Sequence, residues 1–455
     1  MIADRQTLLR QRLASAGLGG AAKGDGIPRR ADPRQTVLSS AQQQTWLYQQ
    51  AFPGSVSNNL GLVITFNGQV DENRIAAAVD CIVERHEILR TTYHGGRDGV
   101  AYQHIRQSMR VPKSFANVSG EEAVALAKAS LLTPFDLETE APLRLLFFRT
   151  GVDEIMFALV VHHIIWDGAT FDLFSKELER AYEAGAATLP ALPVHYADIA
   201  EWDRHRQSRI ADDDREYWIR RLAAPRPPKT LRTNTGDIAA DLESAGRVDY
   251  RLASPLDLTR LAASHRVTPF IAFLACWAAV LGRKDTDEVT VGTTVLTRDH
   301  IEAENLIGNF ANHIVLRLPV GSASASRTLI RATAAEFDAG FAHRNLPYET
   351  VVEALGGQEI AAPPNLFDSL VVFIPSGTEG PRLPGIATRW QRLHNDATQF
   401  PLVPLGLEVF VRGRGAQTVI DVEATYARNA FCSETITELL SQLDNTIRDA
   451  VQEVW

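Results

Sequence analysis

Apolar residues along this chain recur at two periods, and the switches between them set the expected elements. Ser40 to Ala51 reads as a capped helix and Gly61 to Phe66 as a strand. Asp71 to His86 reads as a helix with Ile75, Ala78, Val79, Ile82 and Val83 on one face. Leu143 to Phe148 and Ile155 to Val161 predict a strand pair. The second run, Ile-Met-Phe-Ala-Leu-Val-Val, is unbroken apolar sequence and suits a strand covered on both faces. The period then changes. Phe171, Phe174, Leu178 and Tyr182 recur at helical spacing, with Asp172, Lys176, Glu177 and Glu179 between them, so one stripe is apolar and the rest is wet.

The C-terminal part repeats the mixture. It predicts helices over Pro269 to Leu281, Ser326 to Phe341 and Ser433 to Val451. Strands are expected over Glu288 to Val295, His313 to Leu318, Ser369 to Ile374, Leu405 to Val411 and Val419 to Tyr426. The fold class is therefore mixed α/β. Pro and Ala gather between Gly185 and Pro193 and again from Ala223 to Pro228, bracketing a polar helical stretch through Trp202 and Trp218. A lobe boundary near residue 185 follows, giving lobes 36–185 and 186–455. Residues 1–35 read as a short basic helix, Thr7 to Ala16, and a flexible linker or lightly docked arm that carries Arg29 and Arg30. The charge run Asp212 to Arg215 reads as a solvated helix start.

Composition narrows the class. The 455 residues are long enough for two ordinary domains, and 45% apolar content supports proper cores. A net charge of −9 leaves no electrostatic footprint for nucleic acid. No apolar run reaches the length of a membrane span, and the N-terminus lacks the apolar core of a signal peptide. Cys81, Cys276 and Cys432 are few and widely spaced, as expected of buried free thiols in a reducing compartment. The expectation is a cytoplasmic protein without membrane or nucleic-acid partners.

The chemistry gathers at residues 162 to 168, His-His-Ile-Ile-Trp-Asp-Gly, between the apolar strand and the amphipathic helix. A histidine exchanges protons near neutral pH, and a glycine lets backbone approach a ligand closely. Standing alone, either His162 or His163 would read as an ordinary strand-end histidine; the seven-residue pattern argues against that reading. A metal site is not expected, because no further His/Cys/Glu cluster with ligand spacing is present. Asp167 reads either as a group orienting a histidine or as an ion-pair partner that pins the loop. The second is favoured, with Arg85, Arg90 or Arg298 as the cation, since a buried carboxylate needs one.

Six further segments accompany this motif in order. They are Ser40-Ala41-Gln42 with Trp46, Arg85 to Thr91, Tyr196-Ala197-Asp198 with Trp202, Ile307 to Asn312, His343 to Glu349, and Pro364 to Phe367. With them the chain, from about residue 36 to its end, resembles the condensation domains of nonribosomal peptide synthetases. HxxxDG alone is shared by several acyltransferase families; seven ordered motifs are far more specific.

The resemblance implies two chloramphenicol-acetyltransferase-like lobes in a V-shaped pseudo-dimer, with a tunnel at the seam open on both faces. It implies carrier-protein partners, acyl or peptidyl, whose phosphopantetheine arms deliver the substrates, and no cofactor bound by the chain itself. It assigns His163 to the tunnel. His162, one residue earlier on the strand, should then face the other way and pack or hydrogen-bond. Gly168 would set its backbone N–H beside the thioester carbonyl at the helix N-terminus. Asn312 would reach the seam from the other lobe, or else serve packing or capping. Trp202, Tyr348 and Trp46 are expected as core or interface aromatics.

The sequence also departs from the family pattern. Trp166 stands where Ser is frequent, Asn309 and Ala311 where Phe and Val are more usual, and Pro401 follows Phe400 where Asp is usual. These would reshape a donor or acceptor pocket.

The expected activity is transfer of an acyl or aminoacyl group from a carrier thioester to an amine or an alcohol. An acyl-CoA acyltransferase and a non-catalytic recruitment domain of the same fold are the alternatives. The first is disfavoured by the absence of an Asp-Phe-Gly-Trp-Gly segment, the second by the intact His163 and Gly168. Met1 favours a free-standing or N-terminal condensation enzyme, and a monomer is expected because two fused lobes would complete the pocket.

Overall fold

The computed structural model describes residues 26–452. It omits 98, 108, 110, 186–188, 224–244, 283–286, 321–326, 357–365, 368, 375–379, 395–402 and 414, together with the side chains of 206–211. The expected helix at Thr7 to Ala16 and the departure at Pro401 lie outside the described residues.

From the N-terminus, β1 (Gln35–Val37) leads into α1 (Ser40–Ala51), whose start is fixed by a capping box between Ser39 and Gln42. There follow β2 (Asn59–Asn67) and α2 (Glu72–Arg85), the latter capped by the Asp71 carboxylate. β3 (Thr91–Gly95), β4 (Ala101–Ile105), β5 (Lys113–Asn117) and α3 (Gly120–Leu131) lead to the paired strands β6 (Leu143–Gly151) and β7 (Glu154–His162). α4 (Thr170–Ala184) ends at Gly185, whose φ of 77° suits glycine at a helix end. α5 (Tyr196–Leu222) comes next.

The C-terminal part runs β8 (Ala245–Arg251), α6 (Pro255–His265), α7 (Pro269–Leu281), β9 (Glu288–Leu296) and β10 (Ala311–Pro319). It continues with α8 (Arg327–Ala342), α9 (Tyr348–Ala354), β11 (Ser369–Ile374), β12 (Ala387–Leu393), β13 (Leu405–Arg412), β14 (Val419–Ala427) and α10 (Ser433–Gln452).

The strands form three sheets, ordered β1-β4-β3, β12-β2-β7-β6-β5 and β10-β9-β11-β13-β14-β8. β7 is central in its sheet and buried along its length after Glu154, which explains its unbroken apolar sequence. Each large sheet has its own apolar core, one around Phe66, Phe147 and Phe157, the other around Phe273, Trp277 and Leu443. α7 is the interior helix of the second core. Its Trp277 is fully buried and donates its indole N–H to Ser369 Oγ at 3.0 Å, so this donor is satisfied inside the core.

A boundary at residue 185 does not separate these cores. β12, from far along the chain, pairs antiparallel with β2 and becomes the edge strand of the first sheet, and Leu306, Ile307, Phe310 and Leu393 join the first core. α5 crosses between them, burying Tyr196 in the first core and Trp218 in the second. Asp212 to Arg215 therefore lies inside this long helix, not at its start, and Asp214 meets His343 Nδ1 at 2.6 Å.

The described end of the N-terminal arm is firmly docked. Arg30 pairs with Asp198 at 2.6 Å and with Glu87 at 2.7 Å. Of the three free thiols only Cys276 is fully buried; Cys81, on α2, packs partly exposed against the first core, and Cys432 stands partly exposed just ahead of α10.

Candidate active site

His163 opens the single turn of 3₁₀ helix that follows β7, and its backbone N–H donates to Asn58 O at 2.7 Å. Its half-buried ring lies where the first sheet meets residues of the second half. Asn309 Nδ2 stands 3.4 Å from His163 Nδ1. Burial lowers the imidazole pKa below its ordinary 6.5, opposed by the ring's own backbone carbonyl and by the charges of Asp167 and Glu408. The ring is neutral at neutral pH.

His162 faces the opposite way. It is 1% exposed and edge-on to Phe135. Its Nδ1 accepts the Ile164 N–H at 3.2 Å and its Nε2 lies 3.4 Å from Gln49 Oε1. Burial, with the nearby His163 and Arg144, lowers its pKa to about 3. It is a packing group.

Asp167 is the knot of the site. Its Oδ1 accepts the N–H groups of Ala169 and Thr170, each at 3.0 Å, and the Thr170 hydroxyl at 2.8 Å, which ties the motif loop to the start of α4. Its Oδ2 accepts the Phe310 N–H at 3.1 Å and Arg298 Nη2 at 2.8 Å, both from the second half. Of the three candidate cations, Arg298 is the partner. It also donates to the carbonyls of Ala303 and Leu306 and lies over the Phe310 ring.

Arg85 and Arg90 play no part in this. Arg85, at the end of α2, faces α4 and pairs with Glu177 at 3.0 Å, while Arg90 donates to Arg106 O at 2.7 Å. Arg298 thus joins a loop of the second half to the motif loop, a contact that no local spacing encodes.

Gly168 is exposed, and a Cβ there would meet nothing within 4 Å, so the surface beside the motif is open. Trp166 is not a pocket residue. It is 4% exposed and its ring packs 5.8 Å from that of Phe174, because the extended backbone after His163 turns it into the first core.

Asn312 lines a cavity, yet its amide is fully engaged. Nδ2 donates to Arg344 O and Leu346 O at 2.7 and 2.8 Å, and Oδ1 accepts the N–H of His313 at 2.9 Å and of Tyr348 at 3.1 Å. It staples the approach to α9 and does not reach the histidine. The cavity, about 700 Å³ counting its open mouth, lies between the start of α1, the start of α5 and the segment 309–312, with Trp202 and Glu349 in its wall. Burial first, then the Glu353 charge, raises the Glu349 pKa to about 7.

Three neighbours of His163 carry no sign in the motif itself. Asn309 stood out only as a departure from the family pattern. His313, on β10, meets Thr294 Oγ1 at 3.1 Å through Nδ1, and burial together with His163 lowers its pKa to about 4. The third is an ion pair, Arg392 of β12 to Glu408 of β13 at 2.5 Å, whose charges reach His163. Their common feature is residence in the second half of the chain, so that only the closed fold brings them to the motif. Among the described residues no cluster of three or more His, Cys, Asp or Glu could hold a metal ion. No single described helix is long and apolar enough to cross a membrane.

Two fused sheet-and-helix cores, with a strand-end histidine between them and an Asp-Arg knot behind it, define a chloramphenicol-acetyltransferase-like α/β protein. The condensation domain profile matches residues 34–454, and the chain belongs to that family. It is 31% identical over 341 residues to a linear gramicidin synthase polypeptide of Brevibacillus parabrevis, covering 71% of this chain and 4% of that protein. It is also 28% identical over 433 residues to the nonribosomal peptide synthetase agiA of Aspergillus flavus, covering 91% and 5%. The chain thus spans only a small fraction of these relatives.

Among solved structures, the X-domain from teicoplanin biosynthesis superposes with a TM-score of 0.82 at 22% identity, covering 94% of this chain and 97% of that one. The first condensation domain of the calcium-dependent antibiotic synthetase, in complex with a substrate analogue, gives 0.75 at 19%, covering 92% and 97%. The chain is a condensation domain of the kind used in nonribosomal peptide biosynthesis.

Proposed function

We propose that this domain transfers an acyl or aminoacyl group from a carrier-protein phosphopantetheine thioester to an amine or alcohol acceptor. The observation that carries this reading is the neutral, half-buried His163 held at the meeting of the two cores beside the exposed Gly168. The acceptor atom attacks the thioester carbonyl carbon, the C–S bond breaks, and the acceptor's proton ends on the departing sulfur.

An α-amino group has a pKa of about 8, so roughly a tenth is neutral at pH 7 and making the nucleophile costs about 1.4 kcal/mol. For an amine, positioning by His163 and a late proton transfer suffice. An alcohol loses its proton during attack and needs a base in contact with it. Asp167 and Arg298 keep the motif loop in place and touch no reacting atom. The Gly168 N–H, on the open side of the loop, is the candidate donor to the tetrahedral oxyanion.

The test is intact-mass monitoring of an acyl-loaded carrier protein against a panel of amines and alcohols, with and without the domain. Domain-dependent loss of the acyl group with formation of an amide or ester supports the reading. Transfer only from acyl-CoA would assign the chain to acyl-CoA chemistry. No transfer from either donor, with the carrier still bound, would leave a recruitment role.

A further inference from the structure

Asn309 is 4% exposed and held on three sides. Its Oδ1 accepts the Ala311 N–H at 3.1 Å and its backbone carbonyl accepts the Tyr196 hydroxyl, which is itself 2.7 Å from Ser39 Oγ. With the amide oxygen fixed by a backbone donor, the face turned to His163 Nδ1 can only be the NH₂ group, 3.4 Å away. Reversing the amide would set its NH₂ against the Ala311 N–H inside the protein, two donors with no acceptor between them.

His163 Nδ1 therefore stands between two opposed demands. Its own carbonyl favours a proton on Nδ1, whereas Asn309 favours a lone pair there. Were Nδ1 protonated, a buried Asn309 N–H would face another donor, and leaving it unpaired is the costlier outcome.

We infer that Asn309 is a positioning residue that holds His163 in the tautomer with its proton on Nε2, and thereby biases the domain toward amine acceptors over alcohols. The inference rests on the transfer chemistry proposed above for its acceptor-preference half only. With Nε2 protonated, His163 offers substrates a hydrogen-bond donor. An amine that arrives neutral can use it: nitrogen attacks carbon, sulfur leaves, and the proton shed by nitrogen passes to the thiolate. An alcohol cannot, since its proton needs a lone pair on the ring while Nε2 already carries hydrogen; the ring must first shift its proton to Nδ1, against Asn309. The preference thus lies in the tautomer of the same imidazole.

The experiment uses the full chain labelled with ¹⁵N-histidine, with His163→Ala to assign the resonance. The wild type is expected to show a protonated-type nitrogen at Nε2 and an unprotonated one at Nδ1. Asn309→Leu removes the donor, and the near-isosteric Asn309→Asp replaces it with an acceptor for a Nδ1 proton; both are expected to reverse the pattern. In the carrier assay the ester-to-amide ratio should rise about fivefold in either variant, the size of one hydrogen bond's net worth. A wild type already protonated at Nδ1, or variants with the wild-type tautomer, overturns the inference. Absence of any acyl transfer by wild type and variants would refute the catalytic reading, while the nitrogen shifts still decide the role of Asn309.

Discussion

Adjacent in sequence, His162 and His163 differ in exposure and in what their rings touch, because successive side chains leave the end of β7 on opposite sides, one ring into the core and the other to the meeting of the halves. Replacing His163 by Ala should abolish ester formation and reduce amide formation without eliminating it; product yields with matched amine and alcohol acceptors read this directly. Equal loss with both acceptors would defeat the argument from acceptor basicity.

His162 makes a different prediction. Its pKa of about 3 lies below the 6.5 of an unfolded imidazole, so between those values the unfolded chain binds a proton that the folded one refuses. Stability from this group is complete above pH 6.5 and falls as the pH drops toward 3. At 1.36 kcal/mol per pH unit, about 2 kcal/mol is lost between pH 6.5 and 5. Urea unfolding of His162→Gln at the two pH values should show a slope shallower by that amount, and an unchanged slope would mean that the ring is not buried neutral.

At the scale of elements, β12 closes the first sheet and positions Arg392. Gly61 of β2 faces Leu393 across this pairing, and a Cβ on residue 61 would come within 2.8 Å of the Leu393 Cβ. Gly61→Val should push β12 off the sheet edge. Amide hydrogen exchange over 387–393 is expected to accelerate at least tenfold while the interior of β7 stays protected. Unchanged protection of β12 would show that the edge can absorb a side chain.

β12 also marks where sequence reading ends. β7, α1, α7 and β11 fall where periodicity and caps put them, because their burial follows from neighbours in the chain or from one apolar face. β12, Ala-Thr-Arg-Trp-Gln-Arg-Leu, carries mostly polar residues at an edge, and what makes it a strand is β2, over 300 positions earlier. The site divides in the same way. The motif showed the histidines, Asp167 and Gly168 as a group, whereas Arg298 could not be told from Arg85 and Arg90 before the loops met. Trp166 looked like a pocket residue only because its backbone direction was unknown.

For the whole molecule, the question is whether the two cores fold as one unit. Among the ties that cross between them, three differ in kind: the continuous α5, the β12 strand, and the Asp167–Arg298 bond, whose arginine follows β9 and whose Phe310 amide precedes β10. The first two are covalent or sheet-wide, and losing either would expose apolar surface on both sides. The third is local but almost dry, with side-chain exposures of 1% for Asp167 and 12% for Arg298, so removing the cation strands a carboxylate among backbone donors.

Breaking such a pair costs about 3–5 kcal/mol. Because the carboxylate holds the first turn of α4 on one side, and on the other accepts the N–H just ahead of β10 and pairs with the arginine just after β9, both strands of the second large sheet, that loss should be felt by both cores together. Arg298→Met is therefore expected to lower the denaturation midpoint reported by peptides of β7 and by peptides of α7 by the same amount, with the two transitions still superimposed. A first core that melts ahead of the second in the variant would show that α5 and β12 alone do not couple the halves. The ion pair behind the histidine would then be what makes this domain a single cooperative body.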